Sequence, residues 1–586
     1  MTEKKTPSAN RFKIIIKYLR RYRKYLLWGG LAVIGSNTLL LINPYLLKMA
    51  FDRLERHVPS REILETAILI VGLSIVSGIF RFSMRRTIIW MSRKIEYDLR
   101  SDLFEHLLKL NPTFYHNNRT GDIMARATND IEAVRMMIGP GIMQISNTIV
   151  TALTAIGFML YLSPSLTLYA LLPLPVLSLL VNKLGGIVHK QFMKIQDYFA
   201  VLTSKAQENL AGVRVIRAYN QEDSEIESFS KHNKKYISLN MEMIRIYSMF
   251  FPLLFMLAGT VNILVLYFGG KSVILGELSL GTLVAFFAYL AILIWPMIAL
   301  GWVISLYQRG TASLDRINKI LNTEPAIISH AGSSEKKVIK GKIEFRNLSF
   351  GYNGKTILHD IRLCIEPGMT VGIVGPTASG KSTVVSLISH LYPISRGQLL
   401  IDDIDINDWE LDVLRSQIGF VPQESFLFSD TIASNILFGV DGKEMCEAKN
   451  AAKSAVLEKE IETFPEQYQT LVGERGITLS GGQKQRVALA RALVMDPKIL
   501  ILDDATSSVD TETEHLINLR LQSEISRRTA IIISHRASAV KDADLIIYLE
   551  NGSIAESGNH DQLMSQKGQY ALLYRTQLIE EELRKM

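Results

Sequence analysis

Six stretches of this chain each approach the ~20 apolar residues that a helix needs to cross a bilayer core, and all six lie before residue 310. They fall near 25–48, 64–86, 138–162, 165–186, 247–270 and 280–304. Ser163-Pro164-Ser165 leaves room for only a tight hairpin between the third and fourth, and the fifth and sixth are expected to join around Gly269-Gly270-Lys271. The connections 87–137 and 187–246 are far longer, rich in Lys, Arg, Glu and Asp, and periodic enough to be helical. They read as continuations of spans two to five out of the membrane. Lys13, Lys17, Arg20, Arg21, Arg23 and Lys24 precede the first span, while the hairpin at Pro164 carries no charge, which places the N-terminus on the cytoplasmic side. Met1 to Lys24 is polar and basic, so no cleavable signal peptide is expected.

At 586 residues the chain exceeds what one compact core accommodates. Apolar residues make up 48% of it, and a mean hydropathy of +0.16 agrees with a membrane portion. The formal charge of +8 fits nucleic acid or an anionic membrane face, and only its location separates them. Cys364 and Cys446 are the only cysteines, too few for a disulfide framework or a metal cluster. Within the spans, Asn37, Asn43, Gln144, Asn147 and Asn262 have two readings: amides bonding helix to helix, or a cavity that faces substrate. Phe286, Phe287, Tyr289, Trp295 and Met297 likewise read as packing, an interfacial belt, or a surface for varied apolar ligands.

The second half changes character, with short strands, Gly-rich turns and charged helices from about residue 340. Its strongest signal is "VGIVGPTASGKSTVVSLI", an apolar strand, a glycine-rich loop and an apolar helix. Gly375, Thr377, Ala378, Ser379 and Gly380, with Lys381, Ser382 and Thr383 opening the helix, form a candidate phosphate cradle. Glycines let backbone N–H groups approach phosphate oxygens, and the helix N-terminus adds positive potential. Lys381 is placed to reach the β/γ-phosphates and Ser382 to ligate Mg²⁺. Ala378 is strained if its backbone needs a positive φ and harmless otherwise. Further on, Ile499-Leu500-Ile501-Leu502 reads as a buried strand ending at Asp503, the candidate Mg²⁺ carboxylate, and Asp504 follows where a carboxylate polarises an attacking water. Between these motifs, Ser480-Gly481-Gly482-Gln483 opens an amphipathic helix, a second potential anion site.

In this order the motifs resemble those of ABC ATPases. Leu479–Gln483 is similar to the family's signature motif, Tyr352 to the aromatic that stacks on adenine, and Gln423 in "VPQE" to the Q-loop glutamine, a Mg²⁺ and water contact. "GERG", Gly473 to Gly476, resembles a segment facing the membrane-domain couplers, Ser507–Asp510 the D-loop, and His535 the switch histidine. "FYHNNRTGDIMARATND", Phe114 to Asp130, and "GVRVIRAYNQED", Gly212 to Asp223, resemble the coupling regions of ABC exporters. The resemblance covers nearly the whole chain. It implies a multidomain membrane protein in which an all-α six-helix transmembrane domain of the ABC exporter type precedes an α/β P-loop ATPase domain. The divisions expected are a basic cytoplasmic segment 1–24, a transmembrane domain 25–310, a linker 311–340, an ATP-binding domain 341–576 and a solvated helical tail 577–586.

What the resemblance implies for function is ATP- and Mg²⁺-dependent export of amphipathic drugs, lipids or peptides by a half-transporter in the cytoplasmic (inner) membrane. Nucleic acid is not expected as a partner. Six fused spans argue against a soluble ABC protein acting on nucleic acid, and importers of the superfamily usually carry their ATPases as separate chains. In the family the residue after the Mg²⁺ carboxylate is usually Glu. Asp504 is one methylene shorter, and its reach decides whether it can orient water at roughly 2.6–3.2 Å. An intact signature beside a short acid is similar to the impaired-site subunit of heterodimeric bacterial exporters. That predicts a partner half-transporter with Glu at the equivalent position. The retained His535 leaves open a homodimer with slow turnover, and a regulatory subunit that binds ATP with little hydrolysis is the third reading.

Overall fold

The computed structural model describes residues 12–329, 338–352, 354–440, 442–473, 476 and 478–585. It divides into two compact units, Met1–Leu108 with Gly121–Thr323, and Lys109–Thr120 with Glu324–Met586.

The first unit is helical throughout: α1 (Lys13–Arg21), α2 (Arg23–Glu55), α3 (Ser60–Lys109), then α5 (Thr120–Leu162), α6 (Pro164–Leu171), α7 (Leu174–Ala211), α8 (Val213–Ala218), α9 (Glu222–Ile274) and α10 (Leu280–Leu321). The short helix α4 (Pro112–Asn117) belongs to the second unit, so the unit boundary falls inside the first candidate coupling region. Among the described residues α2, α3 and α5 are long and apolar enough to cross a membrane, and shorter apolar runs occupy Gly259–Ile274 and Leu280–Leu293. The fourth expected span includes side chains at 174–182 that lie outside the described residues.

Local chemistry sets the breaks. Ser163 caps α6 by accepting the Leu166 N–H at 3.3 Å, and Pro164 takes the first helical position, where its missing N–H costs nothing. Helix α5 contains two π turns, Arg126–Asp130 and Met137–Gly141. The second contains Pro140, which has no N–H to give to the preceding turn. The join between the fifth and sixth spans differs from expectation. Helix α9 runs through Gly269-Gly270-Lys271 to Ile274, and the chain turns at Gly276 with φ +74°. Gly269 is a packing glycine: a Cβ there would lie 2.7 Å from Leu283 Cδ1 of α10. Helix α10 also continues to Leu321, into the segment expected as linker, while 330–337 lie outside the described residues.

The polar residues of the spans divide. Asn37 donates to Val33 O and to Asn147 Oδ1, both at 2.9 Å, and accepts from Thr151 Oγ1 at 3.0 Å, so this group holds α2 to α5. Asn43 donates to Ser74 Oγ at 2.9 Å, linking α2 to α3. The Gln144 amide nitrogen is buried without a hydrogen-bond partner among the described residues, and Asn262 is exposed. Phe286 and Tyr289 are both 0% exposed, and Tyr289 donates to Leu41 O at 2.9 Å. They are packing residues, and Phe287 is partly buried against the same core. The side chains of Trp295 and Met297 lie outside the described residues.

The second unit carries two sheets. A four-stranded antiparallel sheet has the order β2-β1-β4-β5, built from β1 (Ile343–Tyr352), β2 (Lys355–Ile365), β4 (Leu399–Ile401) and β5 (Ile404–Asp405). A six-stranded sheet has the order β10-β9-β3-β8-β7-β6, built from β3 (Thr370–Val374), β6 (Ile418–Val421), β7 (Ile499–Asp503), β8 (Thr529–Ile533), β9 (Leu545–Glu550) and β10 (Ser553–Gly558). Within it β9, β3, β8, β7 and β6 run parallel and β10 closes the edge antiparallel. Parallel strands need cover on both faces. Helix α11 (Lys381–Ile388) contributes Val384, Val385, Leu387 and Ile388 to the larger core, and α12 (Gly481–Val494) contributes Val487, Leu489 and Leu493 to the second. Both cysteines are free and exposed.

Just past the end of α11, His390 is 3% exposed, has φ +47°, and its two ring nitrogens lack a hydrogen-bond partner among the described residues. Burial, reinforced by the Arg415 charge, pushes its pKa down to about 4 from 6.5. Between these values the unfolded chain binds a proton that the folded chain does not, so stability falls as pH drops from about 6.5 towards 4. The loss approaches roughly 3 kcal/mol at the bottom of that window. His390→Asn keeps a side chain that tolerates positive φ and removes the titration. The thermal midpoint of the variant is expected to fall less steeply than wild type between pH 7 and pH 5, as read by unfolding scans in detergent.

Candidate functional site

Strand β3 ends at Val374 and the loop turns at Gly375, whose φ of +147° and a would-be Cβ 2.1 Å from Leu549 O admit only glycine. Gly380, at φ +101°, is the N-cap of α11. Ala378 between them has φ +65°, so the strained alternative holds. Lys381 folds back over the loop and donates to Gly375 O at 2.9 Å and Pro376 O at 2.7 Å.

A cavity of about 430 Å³ opens over this loop. It is lined by Thr377, Ala378, Ser379, Gly380, Lys381, Ser382 and Thr383 from one side. Tyr352 at the end of β1, Gln423 after β6, Asp503 at the end of β7 and His535 after β8 complete it. Residues that sequence reasoning took from five separate stretches therefore share one chamber. Tyr352 stands edge-on to Phe350 and Tyr392, each centroid pair 5.1 Å apart, which fixes its ring at the rim. Burial leads in pushing the Tyr392 hydroxyl up to about 12. Ile357 also lines the cavity, and no motif marks it because an apolar β2 residue carries no chemical signature.

The charges inside are poorly solvated. Burial holds the Lys381 ammonium below its usual range, opposed by Asp503 and Asp504. Burial holds the Asp503 carboxyl above its usual range, opposed by a Ser382 hydrogen bond and by Lys381. Desolvation leads in both, so an anion beside Lys381 and a cation beside Asp503 would each relieve it. The described residues contain no cluster of three or more His, Cys, Asp or Glu suited to a metal. Ser382, Asp503 and Gln423 are hard oxygen donors. They fit Mg²⁺, which characteristically takes one or two carboxylates and completes its shell with water and phosphate oxygens.

Three sets of predicted residues do not line this cavity. Gly375 shapes the loop from beneath. Asp504, partly exposed, sits at φ +52° with its N–H donating to Ile533 O at 3.0 Å. The segment Ser480–Gln483 lies elsewhere: Ser480 and Gly481 are exposed and Gly482 is buried against Ser508 and Val509. Gln483 is used locally. Its Oε1 accepts the Ser480 N–H at 2.9 Å, closing a capping box, and its Nε2 donates to Glu460 at 3.0 Å. Part of "GERG" lies outside the described residues. A residue that motif reading passed over is Gln485, 4% exposed on α12. It donates to Ser507 Oγ at 2.8 Å and accepts the Ser508 N–H at 2.9 Å, tying the α12 start to the loop after Asp504.

The sequence profile described as "ABC transporter transmembrane region" matches residues 26–297, and that described as "ABC transporter" matches 358–507. The chain is 36% identical to the Multidrug resistance-like ATP-binding protein MdlA of Escherichia coli (strain K12), over 97% of this chain and 96% of that protein. It is 40% identical to the Probable multidrug resistance ABC transporter ATP-binding/permease protein YheI of Bacillus subtilis (strain 168), over 82% of this chain and 83% of that protein. Among solved structures, a bacterial Atm1-family ABC exporter with ATP bound aligns with a TM-score of 0.79 at 28% identity, covering 95% of this chain and 99% of that one.

The strain at Ala378 is testable. A non-Gly residue in the left-handed region costs about 1–2 kcal/mol, and glycine's extra unfolded-state freedom returns about 0.4–1 kcal/mol of that. Ala378→Gly is expected to stabilise the nucleotide-free protein by a net ~0.5–1 kcal/mol. The measurement is a thermal midpoint above wild type by differential scanning fluorimetry.

Proposed function

Because this chain belongs to the ABC transporters, as a half-transporter whose transmembrane region is fused to its ATPase, we propose that it exports amphipathic small molecules across the cytoplasmic membrane in a heterodimer whose own Walker site is weak. Its enzymatic class is that of a transport-coupled ATPase. The membrane location rests on α2, α3 and α5. The substrate class draws support from two relatives with multidrug-resistance names and from a third that is an ATP-dependent lipid A-core flippase in Syntrophus aciditrophicus (strain SB), 32% identical over 98% of this chain.

In this reading the ATP phosphates lie on Thr377–Thr383 with Lys381 at the β/γ-phosphates, and Tyr352 meets the adenine. Ser382, Gln423 and Asp503 hold Mg²⁺, which neutralises phosphate charge when bound. His535 faces the γ-phosphate side. Asp504 is assigned the water-orienting role, and its shorter side chain leaves the carboxylate about 1 Å back, a displacement that costs about 10²-fold in rate. Ser480 and Gly481 face solvent and, with the buried Gly482 behind them, are assigned to the nucleotide of a partner half-transporter that carries Glu at the equivalent position, with Gln483 supporting their turn. ATP binding then biases the spans towards one orientation through its differential affinity for two states.

The observation that carries the weak-site reading is the separation of the two acids. Asp503 lines the cavity and Asp504 does not. The second reading, a homodimer with slow turnover, is favoured by Gln423 and His535 lining the same cavity as the P-loop. Steady-state ATP hydrolysis by the chain alone in lipid, compared with Asp504→Glu, separates them. The expected result is near-background hydrolysis by wild type and a gain on the order of 10²-fold in the variant. The variant is also expected to melt slightly lower, because Asp tolerates positive φ better than Glu. Vigorous hydrolysis by wild type alone would sink the heterodimer and leave the homodimer.

A further inference from the structure

The C-terminal helix α13 (Gln569–Lys585) was expected to end in a solvated tail from residue 577. The structure places Gln577 otherwise. Its Nε2 donates to the carbonyl of His535 at 2.7 Å, and its Oε1 accepts the N–H of Ala537 at 2.8 Å. One carboxamide thus satisfies two backbone groups that flank Arg536, in the loop that presents His535 to the cavity.

The helix that carries Gln577 is firmly held. Tyr570 is 0% exposed and shares a core with Val374, Ala537, Val540, Ile546 and Tyr548, against which Leu573 and Tyr574 also pack. His560 Nδ1 meets the Tyr570 hydroxyl at 2.8 Å, and Glu556 accepts the Tyr570 N–H at 3.2 Å. Positions 570, 573, 574 and 577 follow the i, i+3, i+4, i+7 stripe of a helix packed on one face. The fourth place of that stripe holds an amide where an apolar residue would serve packing equally well. The same core contains Val374, the last residue before the P-loop, and Ala537 and Val540 of the turn after His535.

We propose that Gln577 is a positioning residue for ATP hydrolysis, a clamp that holds the His535 loop in register with the nucleotide cavity. His535 lies beyond the end of β8 and Ala537 opens the short turn Ala537–Val540, both outside the ladder pairings of β8. Without the amide, the His535 carbonyl and the Ala537 N–H return to water and the loop gains freedom. His535 would then sample positions away from the γ-phosphate side, and misplacement on the order of 1 Å costs up to about 10²-fold. The inference rests on the nucleotide-site reading above and not on the choice of dimer.

The test uses the full chain in lipid, in the wild-type and Asp504→Glu backgrounds, with Gln577→Met and Gln577→Glu. Methionine keeps length and packing and makes neither bond. Glutamate keeps an acceptor for Ala537 and sets an oxygen against the His535 carbonyl. Hydrogen exchange of a peptide spanning 534–540, followed by mass spectrometry, reads the clamp without turnover. Gln577→Met is expected to lose protection at about one amide, that of Ala537. Its kcat is expected to fall about tenfold, with KM for ATP within about twofold and an unchanged melting temperature. Gln577→Glu is expected to lower kcat similarly while keeping more of the exchange protection. Unchanged exchange in Gln577→Met overturns the clamp, as does lost protection with unchanged kcat, or a kcat that falls only in step with melting temperature. If Met at this position prevents folding, the Gln577→Glu kcat and KM decide on the same criteria. Should neither background turn over, the Asp504 reading fails, and the exchange result alone decides the clamp.

Discussion

Parallel pairing of β3 with β8, β8 with β7, and β7 with β6 brings four strand ends to one edge of the sheet. Everything at the candidate site depends on that register. The glycine-rich loop follows β3, His535 follows β8, Asp503 ends β7 and Gln423 follows β6. A slip of one residue in any pair would turn its side chains to the other face. The register is secured by burial, since all five residues of β7 are buried and Val371 to Val374 in β3 are buried as well. The polar groups at the strand ends occur where backbone pairing stops and a ligand can take its place.

A parallel sheet also explains why the site holds charge under strain. Lys381 and Asp503, where the helix and the strand meet the cavity, are both buried, and each is displaced from its ordinary protonation range by that burial. The protein itself offers partial compensation: two loop carbonyls for Lys381 and the Ser382 hydroxyl for Asp503. What is left over has the sign pattern of a metal–phosphate complex. Asp504, one residue on, has left the strand, taken a left-handed backbone conformation and moved off the cavity wall. Of two adjacent acids in sequence, one is buried in the cavity wall and the other is partly exposed outside it.

The membrane unit solves a different constraint. Lipid offers no hydrogen bonds, so polar side chains there must find each other. The Asn37–Asn147–Thr151 group does so, while Tyr289 satisfies its hydroxyl on the Leu41 carbonyl. Close approach is then set by small residues. Gly269 admits Leu283, and Gly310 lies where a Cβ would meet Met137 in the second π turn of α5. Asp130, in the first π turn, is held by the Arg316 guanidinium of α10, with Nε to Oδ2 at 2.8 Å. The irregular turns of α5 therefore sit where it is fastened most specifically to α10.

The sequence by itself determined the division into an apolar helical half and an α/β half, the glycine-rich loop after β3, the carboxylate at the end of β7 and the order in which these features follow one another. These are legible because each rests on local chemistry: apolar run length, glycine at positive φ, and a strand that ends in a charge. It also posed the Ala378 question correctly, since the alternatives were defined by one dihedral. The tertiary structure alone decided which residues share a cavity, because strand order is set by long-range packing that no local pattern encodes. It moved the turn from Gly269-Gly270-Lys271 to Gly276, since a glycine needed for helix contact and one needed for a turn look alike in sequence. It made Phe286 and Tyr289 core residues, turned Gln483 into a cap, and gave Gln485 and Gln577 partners 20 or more residues away. Amides show this most clearly: their chemistry is generic, and only the folded chain specifies which backbone groups they meet.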